Sequence, residues 1–251
     1  MICLDVDLTN PGQFFGCCGV FELAQRLWPD VTAHFAGRQF VVSGGNLNEL
    51  ITKTAQASLE VLEPANQTSS ALRLGAPFDL RIDWWKVERG LKTWAGRMSV
   101  DRIATSLQKD LPNTLSHNFF EDGHVIFGAD GKKVEPYYFD GRRGATALPI
   151  DVGFSSDALS LETVAFAATE FFTLLGLQRF RPCEVKLRTY RYRAWRASLP
   201  VTLAALAASD SIPDDGPLFQ FESAYRTDQR KHKAFKPAIP VHGDGHERIE
   251  Y

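Results

Sequence analysis

The stretch ICLDVDLTNPGQFFGCCGVFELAQRL, residues 2–27, decides how the fold begins. Ile2, Leu4, Val6 and Leu8 alternate with Cys3, Asp5 and Asp7, the period of two that a half-buried strand imposes on its side chains. A helix must follow at once. Asn10 offers a side-chain oxygen as its cap, Pro11 suits a first helical position whose N–H has no partner anyway, and Phe14, Phe15, Cys18, Phe21, Leu23 and Leu27 supply an apolar face. Trp28-Pro29-Asp30 ends it, since proline cannot continue the ladder.

Working outward, residues 38–43 (RQFVVS) read as a strand, Gly44-Gly45 as a turn, and 46–62 as a helix capped by Asn46 with Leu47, Leu50, Ile51, Leu59 and Leu62 on its apolar side. Pro64–Ser70 is a polar linker. Strands are expected at 71–74 and 78–84, a helix near 99–111, and a hairpin joining 124–127 to 134–139 around Asp130-Gly131. The run 159–175 is so apolar that it predicts a central core helix. A long strand over 183–197, an Ala/Leu helix over 200–208, an acidic turn at Asp214-Asp215-Gly216 and a strand near 218–226 follow, and 237–251 reads as a loose tail. Helices and strands mix without a steady βαβ rhythm, so the fold class is α+β: a mixed, mainly antiparallel sheet packed against several helices. The expected organisation is one domain over 1–251, with room for a sub-boundary near 141–158.

The 251 residues are 44% hydrophobic, 12% aromatic and 23% charged, a composition that buries a large core and excludes disorder as the main theme. A net charge of -2 excludes a non-specific polycation, but its distribution is uneven: residues 179–251 carry 13 basic and 9 acidic side chains. No secretory leader and no apolar run of membrane-spanning length is legible, so a cytoplasmic protein with its four cysteines reduced is expected. Adjacent Cys17 and Cys18 lack zinc-ligand spacing.

The densest charge is Arg179–Arg196, with seven basic residues and one acidic. Read as one strand, it places Lys186, Arg188, Tyr190, Tyr192 and Arg196 on one face, with Arg191 and Arg193 on the other. Guanidinium groups interleaved with Tyr190, Tyr192 and Trp195 suit phosphates and stacked bases. A basic strand is also a common solvated edge, and both readings stand. Arg226, Arg230, Lys231, Lys233 and Lys236, with His232 and Phe235, form a second basic cluster that serves equally as a solubilising tail. Trp84, Trp85 and Trp94 lie within eleven residues beside Lys86, Arg89, Lys92 and Arg97; tryptophans this dense anchor a core or a protein interface more often than they stack on bases. Asp5 and Asp7 share one strand face and offer a thin case for Mg²⁺. His242-Gly243-Asp244-Gly245-His246 has metal-compatible residues in a glycine-rich terminus unsuited to a preformed site. No phosphate-binding loop, dinucleotide fingerprint, zincin motif or nucleophile elbow is present, so neither an enzyme signature nor a cofactor motif emerges.

Asn10-Pro11-Gly12-Gln13-Phe14-Phe15-Gly16-Cys17-Cys18-Gly19 running into Glu22-Leu23-Ala24, then Leu80-Arg81-Ile82-Asp83-Trp84-Trp85, then Leu91-Lys92-Thr93-Trp94-Ala95-Gly96, resemble the short Cas-eight-type, large-subunit-like proteins of type I-U (also called I-G) CRISPR-Cas systems. The likeness covers roughly the first 110 residues, and the length fits. It implies a non-catalytic subunit of the crRNA-guided antiviral surveillance complex (Cascade), with crRNA, target DNA, the backbone and guide-processing subunits and a recruited helicase-nuclease as partners. Such a subunit takes part in protospacer-adjacent-motif recognition, while base pairing reads the sequence. The expected RNA- and DNA-binding residues are Lys186, Arg188, Tyr190, Arg191, Tyr192, Arg193, Trp195 and Arg196, with Lys92, Arg97, Arg142 and Arg143 contributing. The expected protein interface is Trp84, Trp85 and Trp94. A scaffold without nucleic-acid contact and a Mg²⁺-dependent nuclease using Asp5 and Asp7 are the alternatives.

Overall fold

The computed structural model describes residues 1–63, 68–96, 98–114, 119–142, 164–226 and 232–241. Strand β1 (Ile2–Asp5) leads into α1 (Pro11–Leu27), and β2 (Ala33–Ala36) and β3 (Gln39–Val42) follow. These strands form an antiparallel sheet in the order β1-β3-β2. The opening reads as the alternation predicts: Ile2, Leu4 and Val6 are buried and Cys3, Asp5 and Asp7 exposed. Asn10 caps α1 by accepting from the Gly12 amide at 3.1 Å, and the same oxygen takes the Gly141 amide at 2.8 Å, which ties the helix start to a distant loop.

Helix α2 (Leu47–Gln56) is capped by Asn46, whose Oδ1 accepts from the Glu49 amide at 3.1 Å. The expected helix to 62 stops early. Leu59–Val61 instead form β4, which pairs with β5 (Leu72–Leu74), and β5 pairs with β6 (Leu80–Ile82). Residues 84–86 turn as a short 3-10 helix, and α3 (Val100–Asp110) follows. The expected hairpin around Asp130-Gly131 is reduced to a bridge between Phe127 and Lys133, and His124 pairs with Ala165 instead. The most apolar run does become a core helix, α4 (Ala167–Gly176), while residues 159–163 of that expectation lie outside the described residues.

The C-terminal part contributes β7 (Cys183–Lys186), β8 (Thr189–Arg193), α5 (Val201–Ala208), β9 (Leu218–Tyr225), β10 (Lys233–Phe235) and β11 (Ile239–Val241). All pair antiparallel, in the order β10-β9-β8-β7, with β11 also on β9. The tail expected to be loose from 237 is thus held in the sheet through Val241. The fold is α+β, with antiparallel sheets packed on helices, and no described helix is long and apolar enough to cross a membrane.

Helices α1 and α4 pack backbone against backbone. Along the contact a Cβ on Gly19 would collide with the Phe172 carbonyl, and one on Gly176 with the Phe15 carbonyl. Glycine there lets two backbones touch, which side chains would forbid. Phe14, Phe15, Phe21, Phe171, Phe172, Leu174 and Leu175 extend from this axis into one apolar cluster running from Ile2 to Ala238. A helix buried on every side needs its polar groups satisfied locally. Glu170 of α4 accepts from the Phe139 and Asp140 amides at 3.1 and 3.2 Å, and Glu22 of α1 is held by Arg26 at 3.0 Å and Arg179 at 2.5 Å.

Candidate nucleic-acid interface

The arginine-rich run is a hairpin, not one strand. Leu187 and Arg188 form the turn between β7 and β8, and Arg188 adopts φ 61°, a left-handed conformation that costs a non-glycine residue about 1 kcal/mol or more. The turn breaks the expected face. Tyr190 and Tyr192 point inward and Arg191 and Arg193 outward, while β7 is an exposed edge. Tyr192 stacks on Phe14 at 4.3 Å and donates to the Leu8 carbonyl at 2.7 Å; Trp195 stacks on Phe180 at 5.8 Å and donates to the Ala33 carbonyl at 2.8 Å. Tyr190, Tyr192 and Trp195 are at most 1% exposed, so the expectation that they stack on bases is corrected: they build the core. The hydrophobic gain of burying rings of this size outweighs any surface role.

The tryptophans follow the same rule. Trp84, Trp85 and Trp94 pack edge to face at 5.4 to 5.8 Å and donate to the carbonyls of Leu174, Ser69 and Thr68. None is exposed enough to serve as the expected protein interface.

Several expected phosphate contacts are already occupied. Arg193 forks onto Asp210 at 2.5 and 2.8 Å and donates to the Gly216 carbonyl at 2.7 Å. Arg196 pairs with Asp215 at 3.5 Å, and its amide donates to Asp214. Arg191 donates to Gln220 at 3.0 Å on the outer face. Arg142 binds Asp140 at 2.7 Å, pairs with Glu121, and lies 3.6 Å over the Phe166 ring. Arg97 and Arg143 lie outside the described residues, as do Arg230 and Lys231. A guanidinium held by the protein's own carboxylate gains little from a phosphate, because one partner must be surrendered for the other.

What remains converges elsewhere. Among the described residues Arg89, Lys92, Lys186, Arg188, Arg226 and Lys233, like Arg38 and Arg191, form no ion pair with a carboxylate, and five of these six gather where the loop at 89–93 crosses the end of the β8-β9-β10 sheet. Backbone hydrogen bonds place them: the Lys233 amide donates to Thr93 at 2.9 Å, the Ser223 amide to Arg188 at 2.9 Å, and the Arg226 amide to His232 at 2.8 Å. The Arg188 guanidinium lies 4.6 Å over the Tyr225 ring and that of Arg226 lies 3.6 Å over Tyr138, so both are braced by aromatics instead of neutralised. Tyr138 is itself left-handed at φ 67°. Lys233 Nζ donates to the carbonyls of Arg89 at 2.9 Å and Gly90 at 2.5 Å. Burial, and then the positive Arg188 and Lys92, push its pKa down to about 8. Lys92, shifted down by burial and Arg89, donates to Ser69 at 2.9 Å and borders an open cleft of about 470 Å³ with Trp85, Lys86 and Arg89.

Of the expected residues, the structure thus brings together Lys92 and Arg188 here, with Lys186 beside them on the neighbouring edge. Arg226 and Lys233 come from the second basic cluster, and Arg89 from the tryptophan-rich segment. Lys236 of that cluster is taken by Glu222 at 2.9 Å. Thr93 and Ser223, which line the same place, carried no signal in the sequence as site residues, while Tyr190, expected to stack on bases, brings its buried hydroxyl here instead.

Asp5 and Asp7 lie on another face, on the wall of an open cleft of about 830 Å³ with Gln13, Arg38 and Glu121. Asp7 uses Oδ1 to hold the Thr9 amide at 2.9 Å and hydroxyl at 2.7 Å, the local turn that feeds α1. Among the described residues no three His, Cys, Asp or Glu are grouped to hold a metal ion. The chain matches no family model, no curated protein and no solved structure.

Proposed function

We propose that the protein is a non-catalytic, cytoplasmic subunit of a crRNA-guided CRISPR effector complex of the I-U (I-G) kind, and that it holds guide RNA or target DNA by its phosphates at the cluster of Arg89, Lys92, Lys186, Arg188, Arg226 and Lys233. The observation that carries the phosphate contact is the sorting of charge. Among the described residues most arginines elsewhere, Arg38 and Arg191 excepted, have carboxylate partners, whereas these cations have none and most of them meet at one end of the sheet. Like charges kept together at a cost to stability suit a polyanion that neutralises them on binding. The sequence resemblance at 10–24, 80–85 and 91–96 supports the effector-complex setting, and 91–96 includes Lys92 of the cluster. Base identity would be read by pairing to the guide, so cations that grip the backbone suffice for this subunit.

Affinity purification of the tagged protein from its host, with sequencing of bound RNA, tests the setting. Guide-length RNAs and several repeated partner subunits are the expected result. A lone chain without nucleic acid would overturn it.

A further inference from the structure

Four buried side-chain nitrogen and oxygen atoms without a hydrogen-bond partner belong to residues that the loop at 89–93 and the sheet end bring near one another: Thr93 Oγ1, Arg188 Nε, Ser223 Oγ and Arg226 Nε, with the Tyr190 hydroxyl beside them turned to the Glu184 carboxylate. A buried polar atom left unpaired is costly, so native proteins keep few of them and scatter them. Here they gather under the loop at 89–93, on the inner side of the sheet end.

All four can donate, and two belong to guanidinium groups that can do nothing else. Lys233 adds a third cation from the same side, with two of its three protons on the carbonyls of Arg89 and Gly90. The Tyr190 hydroxyl fills the space that a Cβ on Gly90 would take, which brings β8 against the loop. Ser223 lies opposite Phe235 in the β9–β10 pair, two residues from Lys233, and its amide donates to the Arg188 carbonyl. The carboxylate of Glu184 approaches this group and accepts the Arg188 amide at 2.9 Å, while Glu88 turns to Arg181 at 3.9 Å. Glu184 is one carboxylate against the three cations Arg188, Arg226 and Lys233, and unpaired donors beside an excess of positive charge are what an oxyanion with several acceptor atoms would satisfy.

We propose that this recess is a phosphate subsite, in which Arg188 and Lys233 supply charge and the hydroxyls of Thr93 and Ser223 supply hydrogen bonds to one phosphate group, with Arg226 at its edge. Donors this deeply buried reach a phosphate only where the strand can insert it, which favours a terminal phosphomonoester over a diester flanked on both sides. The inference rests on the proposed function for the source of that phosphate, a nucleic-acid strand.

The test uses the full chain and two probes: inorganic phosphate, and a single-stranded RNA with or without a 5′- or 3′-terminal phosphate. Inorganic phosphate should raise the melting temperature saturably where chloride of equal ionic strength does not. One terminally phosphorylated RNA should bind more tightly than its hydroxyl counterpart. Thr93→Val and Ser223→Ala should each weaken phosphate roughly tenfold, as expected for loss of a hydrogen bond to a charged group, while leaving the unliganded melting temperature equal or higher because an orphaned hydroxyl is gone. RNA binding that ignores terminal phosphate, with no response to inorganic phosphate, would overturn the subsite and leave the proposed function standing. Phosphate binding sensitive to both variants, with no RNA binding, would uphold the subsite and overturn the nucleic-acid source. No binding of either probe overturns both.

Discussion

Replacing Lys233 by methionine removes a desolvated cation of nearly the same length, and the consequence is legible in how stability varies with pH. Burial first, then Arg188 and Lys92, bring its pKa from an ordinary 10.5 down to about 8. At about 1.4 kcal/mol per pH unit, a shift of that size corresponds to about 3 kcal/mol as an upper bound. The sign follows from proton binding. Below pH 8 the ammonium is charged in both folded and unfolded chains, and its burial cost is fully present. Between pH 8 and 10.5 the unfolded chain holds a proton that the folded chain has released, so the wild type gains stability relative to Lys233→Met as pH rises. Cys17 and Cys18, whose thiols burial pushes up, work in the opposite direction, but equally in both proteins. Urea unfolding of each protein at pH 7, 8, 9 and 10 gives the difference directly. A difference that widens in the wild type's favour by about 2 kcal/mol or more is the predicted result. One that stays flat to within about 0.5 kcal/mol would show that Lys233 is solvated and would remove it from a buried cluster.

Three further outcomes are expected. Gly19→Ala should destabilise by about 2 kcal/mol or more in urea unfolding, since the backbone collision with Phe172 outweighs the roughly 1 kcal/mol that alanine gains in a helix; a more stable variant would mean that α1 and α4 are not in contact there. Trp94→Ala should cost roughly 3–5 kcal/mol by opening a cavity beside Trp84 and Tyr137, whereas Trp94→Phe should fold and still assemble with partners; loss of assembly by the folded phenylalanine variant would restore the tryptophan as an interface residue. Arg193→Gln should leave RNA affinity within about twofold in filter binding, because Asp210 and the Gly216 carbonyl already hold that guanidinium group. A larger loss would return Arg193 to the site.

The opening strand, the Asn10 and Asn46 caps, α1 and the core position of α4 were legible because each rests on short-range periodicity or a capping side chain. Helix α2 was overextended because Leu59 and Leu62 continue a helical spacing, while pairing with β5 claims residues 59–61 for a strand; tertiary contact overrode local pattern. The β7–β8 turn was invisible for a related reason. Leu187-Arg188 contains no glycine, asparagine or proline, so nothing announced a reversal, and a strained Arg188 is where the sequence rule fails. The same miss misassigned Tyr190, Tyr192 and Trp195, whose facing depends on where the strand breaks. Charge could be counted from the sequence, but not which cations have carboxylate partners. Asp210 meets Arg193 across seventeen residues and Glu22 meets Arg179 across 157. The candidate site is where cations left without carboxylates meet, and both the pairing and the meeting are properties of the fold.

The central claim is that unpaired cations at the end of the β8-β9-β10 sheet meet phosphates. Its most direct test is the salt dependence of single-stranded RNA binding by wild type, Arg188→Gln and Arg226→Gln. Each lost phosphate contact should flatten the slope of log affinity against log salt by about 0.7, and the two losses should add to about 1.4 in the double variant. Slopes unchanged from wild type in all three variants would contradict the account.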